Sequence, residues 1–225
     1  MSSKKQANSA SRNQIQDKRV REALQSSMDR VYTSVDRFPW TDERAYANWL
    51  AQSYHMTKYT TRVAALTAGY MPIECSDIHK RSLIHLKEEN GHELLALNDL
   101  KKMGYKIEDL KKTIEASVMV QSQYYFIDMH PAAHFGFVIV LEAIAAQKGG
   151  VIINALRSRF DQDCCSFIEI HAEVDQHHVG DLAELINASP EHCHDLMIEN
   201  MQQTAELYSK MLDGIAGECG AHKAA

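Results

Sequence analysis

Only four prolines, at positions 39, 72, 131 and 190, punctuate a chain of 225 residues, and the long intervals between them lack strand-like alternation. Proline and glycine are the strongest local breakers, so their scarcity across apolar-periodic stretches argues for an all-α fold. The periodicity predicts helices over roughly 17–36, 42–70, 75–104, 107–128, 131–160, 162–188 and 190–219. Thr41-Asp42-Glu43 and Ser76-Asp77 resemble helix starts, and Ser189-Pro190-Glu191 offers an N-cap, a first-turn proline and an acid. Gly69 and Gly104 are expected to close the helices before them. Neither an internal repeat nor a linker divides the chain, so one domain over 17–220 is expected, behind a polar tail over 1–16 read as disordered.

Composition removes several classes of function. A hydrophobic content of 45% supports a large core, and a net charge of −6 with no basic stripe argues against nucleic acid as a partner. The N-terminal stretch MSSKKQANSASRNQIQDKR is too polar for a secretory signal. No apolar run reads as a membrane span, and a cytoplasmic location is expected. Five cysteines without regular spacing make no disulfide framework, and the adjacent Cys164 and Cys165 read as packed thiols.

Against this background three stretches carry unusual chemistry. The first is HAEVDQHH, residues 171–178. At about 100° per residue, His171, Asp175 and His178 fall within about 60° of one another, so one helical stripe offers imidazole, carboxylate and imidazole. Glu173 and His177 point elsewhere. In the second, HLKEENGH at 85–92, Glu89 and Glu88 stand three and four residues before His92 on a helix, and His85 lies two turns earlier on the same stripe. Leu83, Ile84, Leu86, Leu94, Leu95 and Leu97 mark this helix as buried. The third, FGFVIVLEAIAA at 135–146, holds one ionisable group, Glu142, in an otherwise apolar run. A helix apolar nearly all round is central, and an ionised carboxylate there costs several kcal/mol unless a positive partner meets it.

Together these stretches supply about six ligands from three helices: Glu89, His92, Glu142, His171, Asp175 and His178. Mixed oxygen and nitrogen donors favour iron or manganese over thiolate-rich structural zinc, and their number suggests two ions. The order E-x2-H, a lone glutamate in an apolar helix, then H-x3-D-x2-H about 30 residues on, together with EENGHELLALNDLKKMGY at 88–105, resembles the heme-oxygenase-like diiron oxidases over roughly residues 42–215.

That resemblance implies a seven-helix bundle holding two ferrous ions. Glu89, His92 and His171 would bind one, and Glu142, Asp175 and His178 the other. Several members carry a carboxylate seven residues before the second-helix histidine, where this chain has His85, so His85, Glu88 and Glu89 all stay open for the first site, with Glu89 favoured. The implied activity is reductive activation of dioxygen and oxidation of a small metabolite, amino-acid-derived or an aliphatic carboxylate, by N-oxygenation, C–C cleavage or nitrile formation. The implied partners are that substrate, dioxygen and an electron donor, with a homodimer possible. Tyr124, Tyr125, Phe126 and Phe135 are candidates to line a pocket, and Tyr59, Arg62, Lys148 and Arg157 to grip a carboxylate.

Three rivals compete with this reading. A ferritin-like bundle would pair Glu89–His92 with Glu191–His194, but Glu191 follows Ser189-Pro190 in a helix's opening turn, at the end of the bundle and poorly placed for a central metal. A heme-binding member, with His55 as ligand, or a metal-free member of the same fold, thiaminase-like or pyrroloquinoline-quinone-synthase-like, leaves the acids around His92 and His178 unexplained. A helical binding protein without catalysis would gain stability if Glu142 became leucine.

Overall fold

The computed structural model describes residues 14–223. Among them it contains no strand and nine α-helices: α1 (Lys18–Arg37), α2 (Glu43–Thr57), α3 (Thr60–Tyr70), α4 (Ser76–Glu88), α5 (His92–Lys102), α6 (Ile114–Met129), α7 (Phe135–Arg157), α8 (Ser166–Ala188) and α9 (His194–Lys223). Two expected rods are interrupted, α2/α3 by a turn at Lys58–Tyr59 and α4/α5 by Glu89–Gly91, so the seven rods of the sequence pattern are built from nine segments.

The second break shapes the site. Gly91 sits at φ +95°, a conformation that side-chain-bearing residues rarely adopt, and no Cβ placed there would meet an atom within 4 Å. The glycine thus serves the backbone alone. It ends α4 so that Glu89 becomes its C-cap and His92 opens α5. Gly104, at φ +82°, closes α5 as expected, with Tyr105 N–H donating to Leu100 O at 3.0 Å. Gly69 closes nothing: α3 runs to Tyr70 and stops before Pro72.

Of the other expected ends, the start at Asp42 forms as read, and the rest shift for local reasons. Asp42 caps α2 through Ala45 N–H at 2.9 Å. Ser76 is already helical, and Cys75 precedes α4 without a side-chain cap. Ser189 belongs to the end of α8, where its hydroxyl donates back to Leu185 O at 2.7 Å, and α9 begins only after a 3₁₀ turn at Glu191–Cys193. α6 starts late, at Ile114, because Gln52 of α2 holds the preceding strand of chain, accepting from Thr113 N–H (2.9 Å) and donating to Lys111 O (3.1 Å). The expected tail is shorter than 1–16. Ile15 is buried, and Asn187 of α8 bonds Gln16 N–H at 2.8 Å and Gln14 O at 2.9 Å. The remainder of that tail, 1–13, lies outside the described residues.

α7 is the central rod, packed against α1, α8 and α9. Within Pro131–Arg157 an 18-residue window reaches a mean hydropathy of 1.7, enough by length and composition to cross a membrane, which the sequence reading did not anticipate. Its apolar window is 61% buried inside the bundle, which accounts for its composition. α7 lies close against α8 at Gly149, where a Cβ would stand 2.4 Å from that of Ala172. Gly149→Val is therefore expected to push α7 from α8 and cost about 1–3 kcal/mol, measured by urea unfolding.

Candidate metal centre

Three elements bring the charged stretches together beneath the apolar core. Glu142 enters from the middle of α7, 7% exposed. Its Oε1 stands 3.6 Å from His85 Nε2 and 3.6 Å from His178 Nδ1, while its Oε2 has no hydrogen-bond partner. On α8, Asp175 is buried beside His178, with Oδ1 3.4 Å from His178 Nδ1. At the α4/α5 break, Glu89 Oε2 stands 3.3 Å from His92 Nδ1, and the His92 ring meets that of His171 with centroids 4.8 Å apart.

Two groups of mutually close ligand atoms result, each with all atoms within 4.8 Å: Glu89, His92 and His171 in one, and His85, Glu89, Glu142 and His178 in the other. Glu89 belongs to both. Of the residues left open by the sequence, His85 and Glu89 both enter the second group. Glu88 lies outward, 40% exposed at the side chain, between Arg81 (3.2 Å) and His178 Nε2 (3.6 Å). Asp175 stands next to the second group rather than within it, touching His178 and lining the adjoining cavity.

Charge is poorly settled by these residues alone. Burial drives Glu142 up to about 8, with the Asp175 and Glu89 carboxylates adding to a rise that His178 only partly opposes. Asp175 and Glu142 raise His178 to about 10. Burial pushes Glu89 upward too, but His92, His85 and His171 outweigh it and hold the carboxyl at about 2. Four buried atoms, His92 Nδ1, Glu142 Oε2, Asp175 Oδ1 and His178 Nδ1, have no aligned hydrogen bond, although carboxylates stand close to both imidazoles. Orphaned buried donors and acceptors of this kind are costly, and a divalent cation satisfies nitrogen lone pairs and carboxylate oxygens at once. The donor set therefore fits iron.

Supporting contacts orient the ligands. His171 Nδ1–H donates to Phe167 O at 2.7 Å, which leaves Nε2 as the free lone pair. Phe167 packs on the His171 ring (4.3 Å) and on Trp49 (5.7 Å), and the Trp49 indole donates to Tyr208 Oη at 2.9 Å. Asp99 of α5 caps the start of α8, accepting from Ser166 Oγ and from Phe167 N–H at 2.8 Å. Asp99→Ala is expected to cost about 1–2 kcal/mol in denaturant unfolding and to weaken binding at the His171 side.

A cavity of about 120 Å³ opens from the ligands between α2, α6 and α7. Glu89, Glu142, His171 and Asp175 form one wall, and its other walls are mainly apolar, with Met56, Val120, Phe137 and Leu141 among them. Tyr59 lines it, but among the described residues no lysine or arginine does. The cations suggested for a substrate carboxylate are engaged elsewhere: Arg62 with Lys58 O (2.8 Å), Lys148 with Asp36 (2.6 Å) and Arg157 with Glu169 (2.8 Å). Tyr124 and Tyr125 face solvent, Phe126 is core, and Phe135 borders a separate small cavity. Tyr124, Tyr125 and Phe126 thus line neither cavity, and Phe135 lines the smaller one.

His55 lies outside the cavity wall, 3.4 Å from Lys58 Nζ, with burial lowering it to about 4. His194 pairs with Asp17 at 2.8 Å at the end of the bundle, away from the ligands. Cys164 and Cys165 are buried free thiols. Sequence reasoning missed His134, a buried histidine in the cavity wall; its signal was HPAAH, an imidazole placed just before the apolar run.

Comparison with known proteins gives the same architecture. No curated protein is significantly similar in sequence. A domain of unknown function with a heme oxygenase-like fold from Shewanella denitrificans OS217 superposes with a TM-score of 0.75 at 19% identity, over 88% of this chain and 92% of that one. A TenA homolog from Pseudomonas syringae pv. tomato str. DC3000 gives 0.71 at 11% identity, over 87% and 90%. Both show the heme-oxygenase-like fold alone. Residues 47–209, which include every ligand candidate above, match a family described as iron-containing redox enzymes. With most of its length matched, the chain belongs to that family of iron-containing redox enzymes.

Proposed function

We propose that the protein is a diiron oxidase or oxygenase acting on a small aliphatic or amino-acid-derived metabolite, with Glu89, His92 and His171 holding one ion and Glu142, Asp175 and His178 the other. The observation that supports this reading is Glu89, which stands in both groups of ligand atoms. His85, in the place of a carboxylate seen in relatives, joins the second group. When bound, the ferrous pair supplies the electrons that reduce dioxygen, and an external donor restores them.

The remaining work belongs to the chain. Glu89, Glu142 and Asp175 would hold the cations and supply the negative charge that balances them. Phe167 O fixes the His171 tautomer. The apolar wall excludes water and orients the substrate against the ligand face.

Anaerobic titration with ferrous iron tests the reading. Two ions per chain and a transient visible absorption on exposure to oxygen are expected. Uptake of fewer than about one ion, with no absorption change, would overturn it.

A further inference from the structure

The cavity beside the ligands carries one polar side chain whose hydrogen-bonding role is fixed by its neighbours. His134 ends the 3₁₀ turn Pro131–His134 that leads into α7. It is 4% exposed, stacks on Phe137 and forms part of the wall of the main cavity.

Its Nδ1 stands 3.1 Å from Gln123 Oε1, and the chemistry of that contact is settled two steps away. Gln123 Nε2 points at Met119 O (3.0 Å), and Asn200 Nδ2 points at Ala133 O (2.9 Å). Main-chain carbonyls only accept, so both amides are locked in orientation. Gln123 Oε1 is then an acceptor for both Asn200 Nδ2 (2.8 Å) and His134 Nδ1. The imidazole consequently carries its proton on Nδ1, and Nε2 keeps a lone pair. Among the described residues Nε2 has no hydrogen bond, yet it is absent from the fully enclosed orphan atoms. His134 borders both the main cavity and the small one beside it, so the lone pair is available at a cavity wall, and the main cavity is the one with room for a small molecule. Burial holds the ring neutral, with a pKa of about 3.

We propose that His134 Nε2 is a substrate-recognition group, accepting a hydrogen bond from a hydroxyl or amine on an otherwise apolar small molecule in this cavity. Among the described residues no lysine or arginine lines the main cavity, so a carboxylate would find no cationic side chain from them there. A donor-bearing head finds His134. His134 precedes Glu142 by eight residues, roughly 12 Å of helical rise, which separates recognition at one end from the metal ligands further along α7. The inference rests on the proposed diiron reading for what is done to the bound molecule, and not for the binding itself.

The test uses metal-free, full-length protein labelled with ¹⁵N-histidine. It is titrated with hexan-1-ol, with hexylamine and with methyl pentyl ether, which has a similar size but no donor. Expected are a His134 protonated on Nδ1, a saturable shift of its Nε2 resonance, and about tenfold tighter binding of at least one donor probe than of the ether. The preference should vanish in His134→Phe, which keeps a ring against Phe137. It should survive in His134→Gln, which returns an acceptor near the Nε2 position and serves should the phenylalanine variant fail to fold. Which of alcohol and amine binds tighter identifies the head group. A proton on Nε2, equal affinity for donor probes and ether, or a preference unchanged in His134→Phe would overturn the proposal. Ferrous uptake by the wild-type chain, measured in parallel, tells failure of this inference from failure of the diiron reading.

Discussion

Replacing Glu142 with leucine is expected to stabilise the metal-free protein and to remove most of the stabilisation that ferrous iron confers on the wild type. The two signs have one origin. Without metal, Glu142 is a buried carboxyl whose Oε2 finds no partner, among neighbours that leave it either protonated or poorly paired. Replacing poorly paired buried charge by apolar packing is often neutral or stabilising, by up to about 4 kcal/mol, and here Asp175 remains to meet His178. With metal, the same carboxylate is a ligand, and an ion at about 100 times its Kd stabilises the wild type by about 2.7 kcal/mol per site. Denaturant unfolding with and without anaerobic ferrous iron checks both halves. A variant stabilised in both conditions would indicate a bundle with no use for the acid, as the non-catalytic reading requires.

The second large effect is a reversal in pH dependence. In the metal-free protein Glu142 is raised from 4.5 to about 8 and His178 from 6.5 to about 10. Each folded-state value lies above its unfolded value, so the native state binds the extra protons. Stability from Glu142 is complete below about 4.5 and lost as pH climbs through about 8, and that from His178 is lost between about 6.5 and 10. Glu89, lowered to about 2, acts oppositely, its contribution disappearing as pH falls below about 4.5. The metal-free protein should therefore be most stable near pH 5 and weaken toward pH 9, by up to about 1.4 kcal/mol per pH unit for each proton released. Iron loading displaces those protons, so affinity should rise over the same range. Unfolding midpoints and ferrous affinities from pH 5 to 9 measure both slopes. A metal-free protein that gains stability toward pH 9 would contradict this charge assignment.

Much of the architecture is legible because helices announce themselves through spacing. The stripe His171–Asp175–His178 and the solitary Glu142 stand out since nothing in a solvated or purely apolar helix calls for them. The break at Gly91 is not legible in the same way, because a single glycine is tolerated inside a helical pattern and only its φ of +95° reveals the turn. The leucines around it misled for a related reason. Leu83, Ile84 and Leu94 are 46%, 51% and 54% exposed, so the apolar ladder read as wholly buried wraps partly onto the surface once the rod divides. His85 was legible only as an open alternative beside Glu88 and Glu89, and His134 was missed, because their roles come from neighbours distant in sequence, Glu142 and His178 for one, Gln123 for the other. The cationic residues suggested for substrate are surface ion-pair or main-chain partners, a distinction that composition does not carry.

Anomalous diffraction at the iron edge, from crystals grown anaerobically with ferrous iron, bears most directly on the central claim. Two peaks are expected, one among Glu89, His92 and His171 and one among Glu142, Asp175 and His178, with Glu89 between them. A map without a peak at these side chains, in crystals shown by their fluorescence to contain iron, would contradict it.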